Sequence, residues 1–355
     1  MILRTIDSVI QMLDADLIEG GDLDAVISGV STDSRSCGRG SLFIPLVGER
    51  FDGHDYAAQA IAQGAGALLW QKDHPDHPHG IPVIGVDDTL QALQKLASAY
   101  RDSLDLVVIG ITGSNGKTSV KDILSSMLSR RYVTGKTKGN RNNEIGVPLT
   151  LLELSEEDQV AVVEMGMENR GEIDLLTRMV KPDIAIITNV GEAHLENLGS
   201  LENIARAKSE IVQGMCAAGD FSPLLVLGGE DDFTPFIRDT FAQPAGIDVM
   251  LAGVSDDDEV RARDIRVDDE GHPVFTLDFG QGDTVDTMLA IPGVQSVPNA
   301  VKAAAVAYRL GVTPEQIDAA FRGLTITGHR QEIKRAKSGA RIIDDSYNAS
   351  AESMA

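Results

Sequence analysis

The chain has 355 residues, of which 43% are hydrophobic and 24% charged, and its formal net charge is −23. This length allows two or three domains, and the composition is typical of a soluble globular protein. The negative charge argues against nucleic acid as a partner, because binding phosphates needs basic patches. We expect no signal peptide and no membrane span, since no run of roughly 18 apolar residues occurs. The two distant cysteines, Cys37 and Cys216, favour a reducing cytoplasm over a disulfide framework.

The first 102 residues predict a small α/β domain. Its predicted elements are a helix over 6–17, a strand over 41–47, a helix over 55–67, strands over 67–70 and 81–86, and a helix over 89–100. Three histidines, His74, His77 and His79, lie between the last two strands. Because prolines spread this segment and no cysteine supports the histidines, we expect a solvated loop rather than a metal site.

From residue 103 to 325, strand and helix patterns alternate, which predicts a largely parallel sheet. The predicted elements are buried strands over 160–165, 183–188 and 224–227, helices over 171–180 and 201–212, an antiparallel meander over 260–291, and helices over 297–310 and 314–324. The acidic run over 255–259 predicts a solvated turn. Two strand patterns over 330–335 and 341–345 open a further unit, and the chain then stops at Ala355.

The stretch over 106–119 predicts a phosphate-binding loop, because an apolar strand passes through a glycine turn into a helix. Gly113 and Gly116 allow the backbone to approach an anion, and the start of the helix directs free N–H groups towards it. Lys117 can reach the terminal phosphates of a nucleotide. The hydroxyl of Thr118 can bind Mg²⁺, which prefers oxygen ligands.

The match to the general pattern GxxxxGK[ST] is imperfect. Ile111 stands where the pattern has its first glycine, and Gly110 comes one position early. The alternative is a simple glycine turn followed by a chance lysine. The flanking strand and helix favour the phosphate loop.

Further polar residues are predicted at the carboxyl ends of neighbouring strands, where open α/β sheets bind their ligands. Glu164 ends one strand, the segment over 188–194 follows the next, and Lys208 lies on the helix after that. Alone, a glutamate or a histidine is more often a surface or core group. Placed together behind a phosphate loop, Thr118, Glu164 and His194 predict a Mg²⁺ site.

Several motifs together resemble the Mur ligases, over essentially the whole chain. In the central part they are Thr112–Thr118, Gly139–Pro148, Glu164–Gly166, Ile187–Glu196 and Ala205–Ile211. In the N-terminal part, Ser31–Arg35, Gly40–Phe43 and Asp52–His54 are similar to the uridine-nucleotide domain of two branches of the family. The pair Asn142 and Asn143 favours the branch that adds D-alanyl-D-alanine over the branch that adds the third amino acid.

The resemblance implies an α/β fold with three parts. Residues 1–102 would be the UDP-muramoyl substrate-binding domain, and 103–325 a central P-loop ATPase-like domain with a mostly parallel sheet. Residues 326–355 would begin a truncated, Rossmann-like C-terminal ligase domain. The implied enzyme is a cytoplasmic amide ligase of cell-wall synthesis, which uses ATP to join D-alanyl-D-alanine to UDP-N-acetylmuramoyl-tripeptide through an acyl phosphate. We expect a monomer.

The resemblance also implies roles for individual residues. Lys117, His194 and Lys208 would be catalytic, and carbamylation would make Lys208 an anionic metal ligand. Thr118 and Glu164 would hold one Mg²⁺, and His194 a second. ATP would contact the loop residues Gly113, Ser114, Asn115, Gly116, Lys117, Thr118 and Ser119. Its adenine would meet Asn299, its phosphates Arg330 and its ribose Asp345. The uridine diphosphate would contact Ser34 and Arg35, and the muramoyl peptide would contact Asn142 and Asn143.

Two alternatives remain open. One is a related ligase, either the branch that adds the third amino acid or a folylpolyglutamate synthase. The asparagine pair and the uridine-type N-terminal domain count against the folate enzyme. The other alternative is a nucleotide-binding fragment of impaired activity, since most of the third domain is expected to be absent.

Overall fold

The computed structural model describes residues 1–215, 222–324, 332–335, 338, 341–344 and 346. The strands in chain order are β1 (Leu3–Thr5), β2 (Asp16–Glu19), β3 (Val26–Ser28), β4 (Val30–Ser31), β5 (Ser41–Phe43), β6 (Ala65–Gln71), β7 (Val83–Val86), β8 (Val107–Thr112), β9 (Thr134–Lys136), β10 (Val160–Glu164), β11 (Ile184–Ile187), β12 (Leu224–Leu227), β13 (Asp248–Gly253), β14 (Val260–Val267), β15 (Pro273–Asp278), β16 (Thr284–Met288), β17 (Glu332–Arg335) and β18 (Arg341–Asp344).

The α-helices in chain order are α1 (Ile6–Leu13), α2 (Ala57–Gln63), α3 (Thr89–Asp102), α4 (Lys117–Leu128), α5 (Gly146–Glu153), α6 (Glu172–Val180), α7 (Leu195–Leu198), α8 (Leu201–Ser209), α9 (Thr234–Ile237), α10 (Val297–Arg309) and α11 (Pro314–Arg322). Within the described residues, none of them is long and apolar enough to cross a membrane. The chain forms two compact units, one of residues 1–105 with 141–157 and the other of 106–140 with 158–355.

The first unit contains a five-stranded sheet of order β2-β7-β6-β5-β4. Strands β4 to β7 are parallel, whereas β2 runs antiparallel at the edge. Helix α3 packs against α1 and α5. The predicted helix over 6–17 is wrong over 14–17, because Asp14 takes a left-handed conformation with φ 48° and ends α1. The chain then enters β2.

The second unit contains a nine-stranded sheet of order β16-β15-β14-β13-β12-β11-β8-β10-β9. Strands β8 to β13 are parallel, which confirms the largely parallel sheet predicted from the alternation of strand and helix patterns. Helices α4 and α10 pack against each other, and their apolar side chains share one core cluster with Ile109 and Ile111. Helix α4 contacts β8 and β10, α10 contacts β12 to β14, and α6 contacts β8. Because β8 lies between β10 and β11, the strand order reverses at β8. The loop after β8 therefore opens at the switch point of the sheet, where such folds bind ligands.

The predicted meander is confirmed, since β14, β15 and β16 pair antiparallel. The two strand patterns near the end of the chain are β17 and β18, also antiparallel.

The acidic turn over 255–259 is less solvated than predicted. Asp258 is buried and accepts hydrogen bonds from the backbone N–H groups of Gly229 and Ser255, at 2.9 Å each. Its carboxylate holds two loops together instead of facing water.

Candidate active site

The loop after β8 has the backbone that an anion-binding turn requires. Gly113 has φ 148° and Gly116 φ 80°, conformations that residues with a side chain rarely adopt. A Cβ atom would collide with the side chain of Thr188 at Gly113, and with the side chain of Asn299 at Gly116. Helix α4 begins directly after Gly116, which supplies no side-chain cap. The first N–H groups of this twelve-residue helix are thus positioned for an anion.

Lys117, the first residue of α4, lies over this loop. Its ammonium group donates hydrogen bonds to the carbonyl oxygens of Gly113, at 2.8 Å, and Ser114, at 3.2 Å. The cation is therefore held at the rim of the turn, where it can meet phosphate oxygens.

The segment after β11 fixes the shape of the loop. The backbone N–H of Ser114 donates to the carbonyl of Asn189 at 3.0 Å, and that of Asn115 to the Asn189 side chain at 2.9 Å. The Ser114 hydroxyl accepts from the N–H of Gly191 at 2.8 Å and donates to its carbonyl at 3.0 Å. Thr188 donates its hydroxyl proton to the carbonyl of Asn115 at 2.6 Å. Both strands that flank the switch point thus contribute to one site.

An oxygen-ligand pair lies at the base of the loop. The hydroxyl of Thr118 donates to the carboxylate of Glu164, 2.9 Å from Oε2 and 3.2 Å from Oε1. Glu164 is buried and ends β10, and its N–H donates to the hydroxyl of Thr137 at 3.0 Å. Hydroxyl and carboxylate oxygens are the donors that Mg²⁺ prefers, so this pair fits the predicted magnesium site.

Lys208 on α8 has an environment that is rare for a lysine. Its side chain is fully buried, and its Nζ has no hydrogen-bond partner among the described residues. Burial, together with the nearby charge of Lys117, holds the pKa of Lys208 well below its usual range. Both effects favour the neutral, nucleophilic form of the amine.

His194 belongs to the same cluster. Burial lowers the pKa of His194, and the charges of Lys208 and Lys117 lower it further. The residue takes a left-handed conformation, with φ 68°, directly before α7. A neutral imidazole can bind a metal ion, so the position is consistent with the predicted role.

The remaining predicted nucleotide contacts are only partly described. Asn299 on α10 lies against Gly116, so the structure brings it to the phosphate loop. Ser119 is half-buried in the first turn of α4. Arg330 and Asp345 lie outside the described residues.

The predicted substrate residues belong to the first unit. Ser34 is buried, and its hydroxyl donates to the side-chain oxygen of Gln59 at 2.8 Å. Arg35 is exposed and donates two hydrogen bonds to Asp33, which lowers the pKa of that carboxyl to about 2. Its guanidinium remains accessible to an anion.

The asparagine pair has a different local setting. The side-chain oxygen of Asn143 accepts from the N–H of Gly146 at 2.9 Å and thereby caps the start of α5. Asn142 is half-buried just before it. Asn143 thus has a structural role in addition to the predicted contact with substrate.

Comparison with protein families agrees with this arrangement. Residues 111–307 match the model of the Mur ligase middle domain, and residues 26–101 match that of the Mur ligase family catalytic domain. The chain belongs to the Mur ligase family.

Individual Mur ligases are similar over most of their length. The UDP-N-acetylmuramoyl-tripeptide–D-alanyl-D-alanine ligase of Bacillus subtilis (strain 168) is 42% identical, over 100% of this chain and 74% of that protein. MurF from Acinetobacter baumannii has a TM-score of 0.90 at 34% identity, covering 100% of this chain and 75% of its own. MurF from Thermotoga maritima, in complex with ADP, has a TM-score of 0.78 at 27% identity, covering 92% and 72%.

One residue of this Mur ligase site was missed from the sequence. The carboxylate of Asp231 accepts from the N–H groups of Val190, at 2.7 Å, and Phe233, at 2.9 Å. It thereby anchors the segment that shapes the phosphate loop. Asp231 lies four residues after β12, at the carboxyl edge of the sheet. That position is the feature of the sequence that indicates a site residue.

Proposed function

We propose that this chain is an ATP-dependent, cytoplasmic ligase that joins D-alanyl-D-alanine to UDP-N-acetylmuramoyl-tripeptide in peptidoglycan precursor synthesis. The observation that carries the proposal is the buried Thr118–Glu164 pair under the phosphate loop, together with the buried Nζ of Lys208, which lacks a hydrogen-bond partner in the described part of the chain. The 42% identity to the B. subtilis ligase supports this choice of substrates. In this proposal residues 1–102 bind the UDP-muramoyl substrate, 103–325 bind ATP, and 326–355 begin the C-terminal ligase domain. The enzyme acts as a monomer.

The first chemical step transfers the γ-phosphoryl group of ATP to the terminal carboxylate of the peptide, which forms an acyl phosphate and releases ADP. Both reactants are anions, so positioning and charge neutralisation dominate catalysis. Lys117 and the N–H groups at the start of α4 bind the β- and γ-phosphates. Thr118 and Glu164 hold Mg²⁺, which, when bound, offsets charge on the phosphate oxygens. The amine of D-alanyl-D-alanine then displaces phosphate from the acyl phosphate and forms the amide.

Lys208 serves this site as a carbamate. In its neutral form, Nζ adds to CO₂, forming a C–N bond and releasing one proton, which converts a buried amine into an anionic oxygen donor. This conversion explains why a lysine lies at a metal site, since an ammonium group would repel the metal ion. His194 and the carbamate would hold a second Mg²⁺.

The remaining contacts follow the same assignment. Ser34 and Arg35 bind the uridine diphosphate, and Asn142 and Asn143 line the muramoyl-peptide site. Further contacts to the nucleotide come from Asn299 to adenine, Arg330 to the phosphates and Asp345 to the ribose.

The test is an amide-formation assay with a choice of acceptor. We expect product from UDP-tripeptide, ATP and D-alanyl-D-alanine, and none from UDP-dipeptide with lysine or a diamino acid. Lys117→Ala is the inactive control. Product with the diamino acid would favour the related branch of the family. Binding of ATP and UDP-tripeptide without either product would favour the nucleotide-binding fragment and overturn the proposed activity.

A further inference from the structure

A second cluster of metal-binding side chains lies in the first unit, outside the site described above. It combines Glu19, the last residue of β2, with His77 and His79 from the loop before β7. One donor atom from each side chain lies within 4.8 Å of the other two. The Nδ1 atom of His79 is 3.1 Å from Oε2 of Glu19.

The fold brings these residues together through the edge of the sheet. Strand β2 pairs antiparallel with β7, and its register is irregular between Leu17 and Glu19. Such irregularities re-aim a side chain and are frequent at functional edges. The irregularity places Glu19 beside the loop, where its carboxylate also accepts from the N–H of Gly80, at 3.4 Å.

The ring of His77 in this cluster has the tautomer that a metal ligand needs. Nδ1 of His77 is 3.2 Å from the carbonyl oxygen of Pro78, which can only accept, so Nδ1 carries the proton. The lone pair of the ring is then on Nε2. A backbone carbonyl that fixes the tautomer in this way is a common partner of metal-binding histidines.

A neighbouring cluster of similar composition lacks this property. In Asp52, His54 and His74, the ring of His54 is already bonded at both nitrogens. Its Nε2 accepts from the N–H of Gln71 at 3.3 Å, and its Nδ1 donates to Asp52 at 2.6 Å. Buried His54 therefore has no lone pair left for a metal ion.

We propose that Glu19, His77 and His79 form a binding site for a divalent transition-metal ion of the Zn²⁺ class, independent of the catalytic site. Two imidazoles and one carboxylate are a donor set that such ions prefer, and water completes the coordination at this exposed position. A bound ion connects the end of an edge strand to the loop that precedes its partner strand. Its effect is to stabilise that edge of the first unit.

The test is titration of the metal-free protein with Zn²⁺ alone, followed by calorimetry. We expect one binding event that His79→Asn and Glu19→Gln weaken by at least about tenfold. His74→Asn, in the neighbouring cluster, is the matched control and should bind like the wild type. Every protein in the comparison also carries Glu164→Gln, so that Zn²⁺ binding at the catalytic site does not contribute to the titration.

A second readout uses Co²⁺ in place of Zn²⁺. Histidine-bound Co²⁺ absorbs visible light, and this band should disappear in His79→Asn and persist in His74→Asn. Equal affinities and spectra in all variants would overturn the proposal. So would loss of the event in His74→Asn alone, because the metal would then occupy the neighbouring cluster.

Discussion

The hydroxyl of Thr118 lies 2.9 Å from Oε2 of Glu164 and joins the start of α4 to the end of β10. The two elements are neighbours because β10 pairs with β8, the strand that leads into the phosphate loop. Both residues are buried, so water does not compete for the hydroxyl. The pair is a preformed set of oxygen ligands at the end of the loop that binds phosphate.

Replacing Thr118 by valine should remove the hydroxyl while preserving the shape of the side chain. We expect Mg²⁺ to support ATP-dependent phosphate release at least about tenfold less effectively, as for other losses from metal sites. Thr118→Ser keeps the oxygen and should remain within a few-fold of the wild type. The measurement is phosphate release against Mg²⁺ concentration. An unchanged Mg²⁺ dependence in Thr118→Val would contradict the ligand assignment.

Replacing Lys117 by alanine should abolish nucleotide-dependent phosphate release without unfolding the protein. The ammonium contacts loop carbonyls and carries charge to phosphate, so we expect a loss of about a hundredfold or more. ATP affinity by calorimetry and the melting temperature are the two measurements. Lys72→Ala, which removes a partly exposed cation from the first unit, is the control. Wild-type ATP affinity in Lys117→Ala would rule out the phosphate-loop assignment.

Replacing Lys208 by methionine should raise the stability of the protein and abolish its activity. In buffer free of CO₂ and Mg²⁺, where Lys208 carries a free amine, Lys208→Met removes a buried group that lacks a hydrogen-bond partner among the described residues. The variant should then be about 1–3 kcal/mol more stable than the wild type, while its ligase activity is lost. The measurements are denaturant unfolding and ligase activity. A destabilised methionine variant would show that the amine has a favourable partner in solution.

The carbamate itself is tested by supplying an anion. Lys208→Ala should be inactive, and formate or another small carboxylate should restore part of the activity. Mass spectrometry under native conditions should find one added CO₂ on the wild-type chain. A fully active enzyme with a free amine at Lys208 would exclude the carbamate.

His54 should make the first unit sensitive to acid. Burial lowers the pKa of His54, although Asp52 and Asp55 act in the opposite direction and His74 adds to the lowering. The folded state thus binds fewer protons than the unfolded state below the unfolded pKa of about 6.5. Stability should therefore be unaffected above that pH and decrease as the pH falls below it.

The check is the melting temperature between pH 8 and pH 5, in the presence of a chelator. In His54→Asn, which keeps a donor towards Asp52, the curve should be flatter than in the wild type, although the variant is less stable throughout. His79→Asn, at an exposed position, is the control and should follow the wild-type pH dependence. A wild-type slope in His54→Asn would assign the effect to another group.

Glu230 should stabilise the buried cation of Lys302. The two side chains pair at 2.6 Å, and Lys302 is almost completely buried. Glu230→Ala should destabilise the protein by less than the roughly 3–5 kcal/mol of an isolated buried pair, because Asp231 and Asp258 also interact with Lys302. Denaturant unfolding measures the effect. Adding Lys302→Met should recover much of the loss, and a further loss would contradict the explanation.

Elements whose signals are local follow from the amino-acid sequence alone. A strand, two glycines and an amphipathic helix in succession predict the phosphate loop, because glycine conformation and hydrophobic period are encoded within about twenty residues. The alternation of such units predicts the parallel sheet for the same reason. Glu164 and His194 could be placed near the loop, since carboxyl ends of parallel strands meet at one edge.

Contacts between residues far apart in the sequence become visible only in the folded structure. The burial of Lys208 without a hydrogen-bond partner among the described residues depends on every element packed around α8. The hydrogen bond between Val190 and Asp231 joins residues that are 41 positions apart in the sequence. Residues 141–157 group with the first unit, although they follow the phosphate loop in sequence. Glu19 meets His79 across 60 residues, through an irregular strand edge. Such contacts carry no local pattern, because they depend on the packing of whole elements rather than on the spacing of neighbours along the chain.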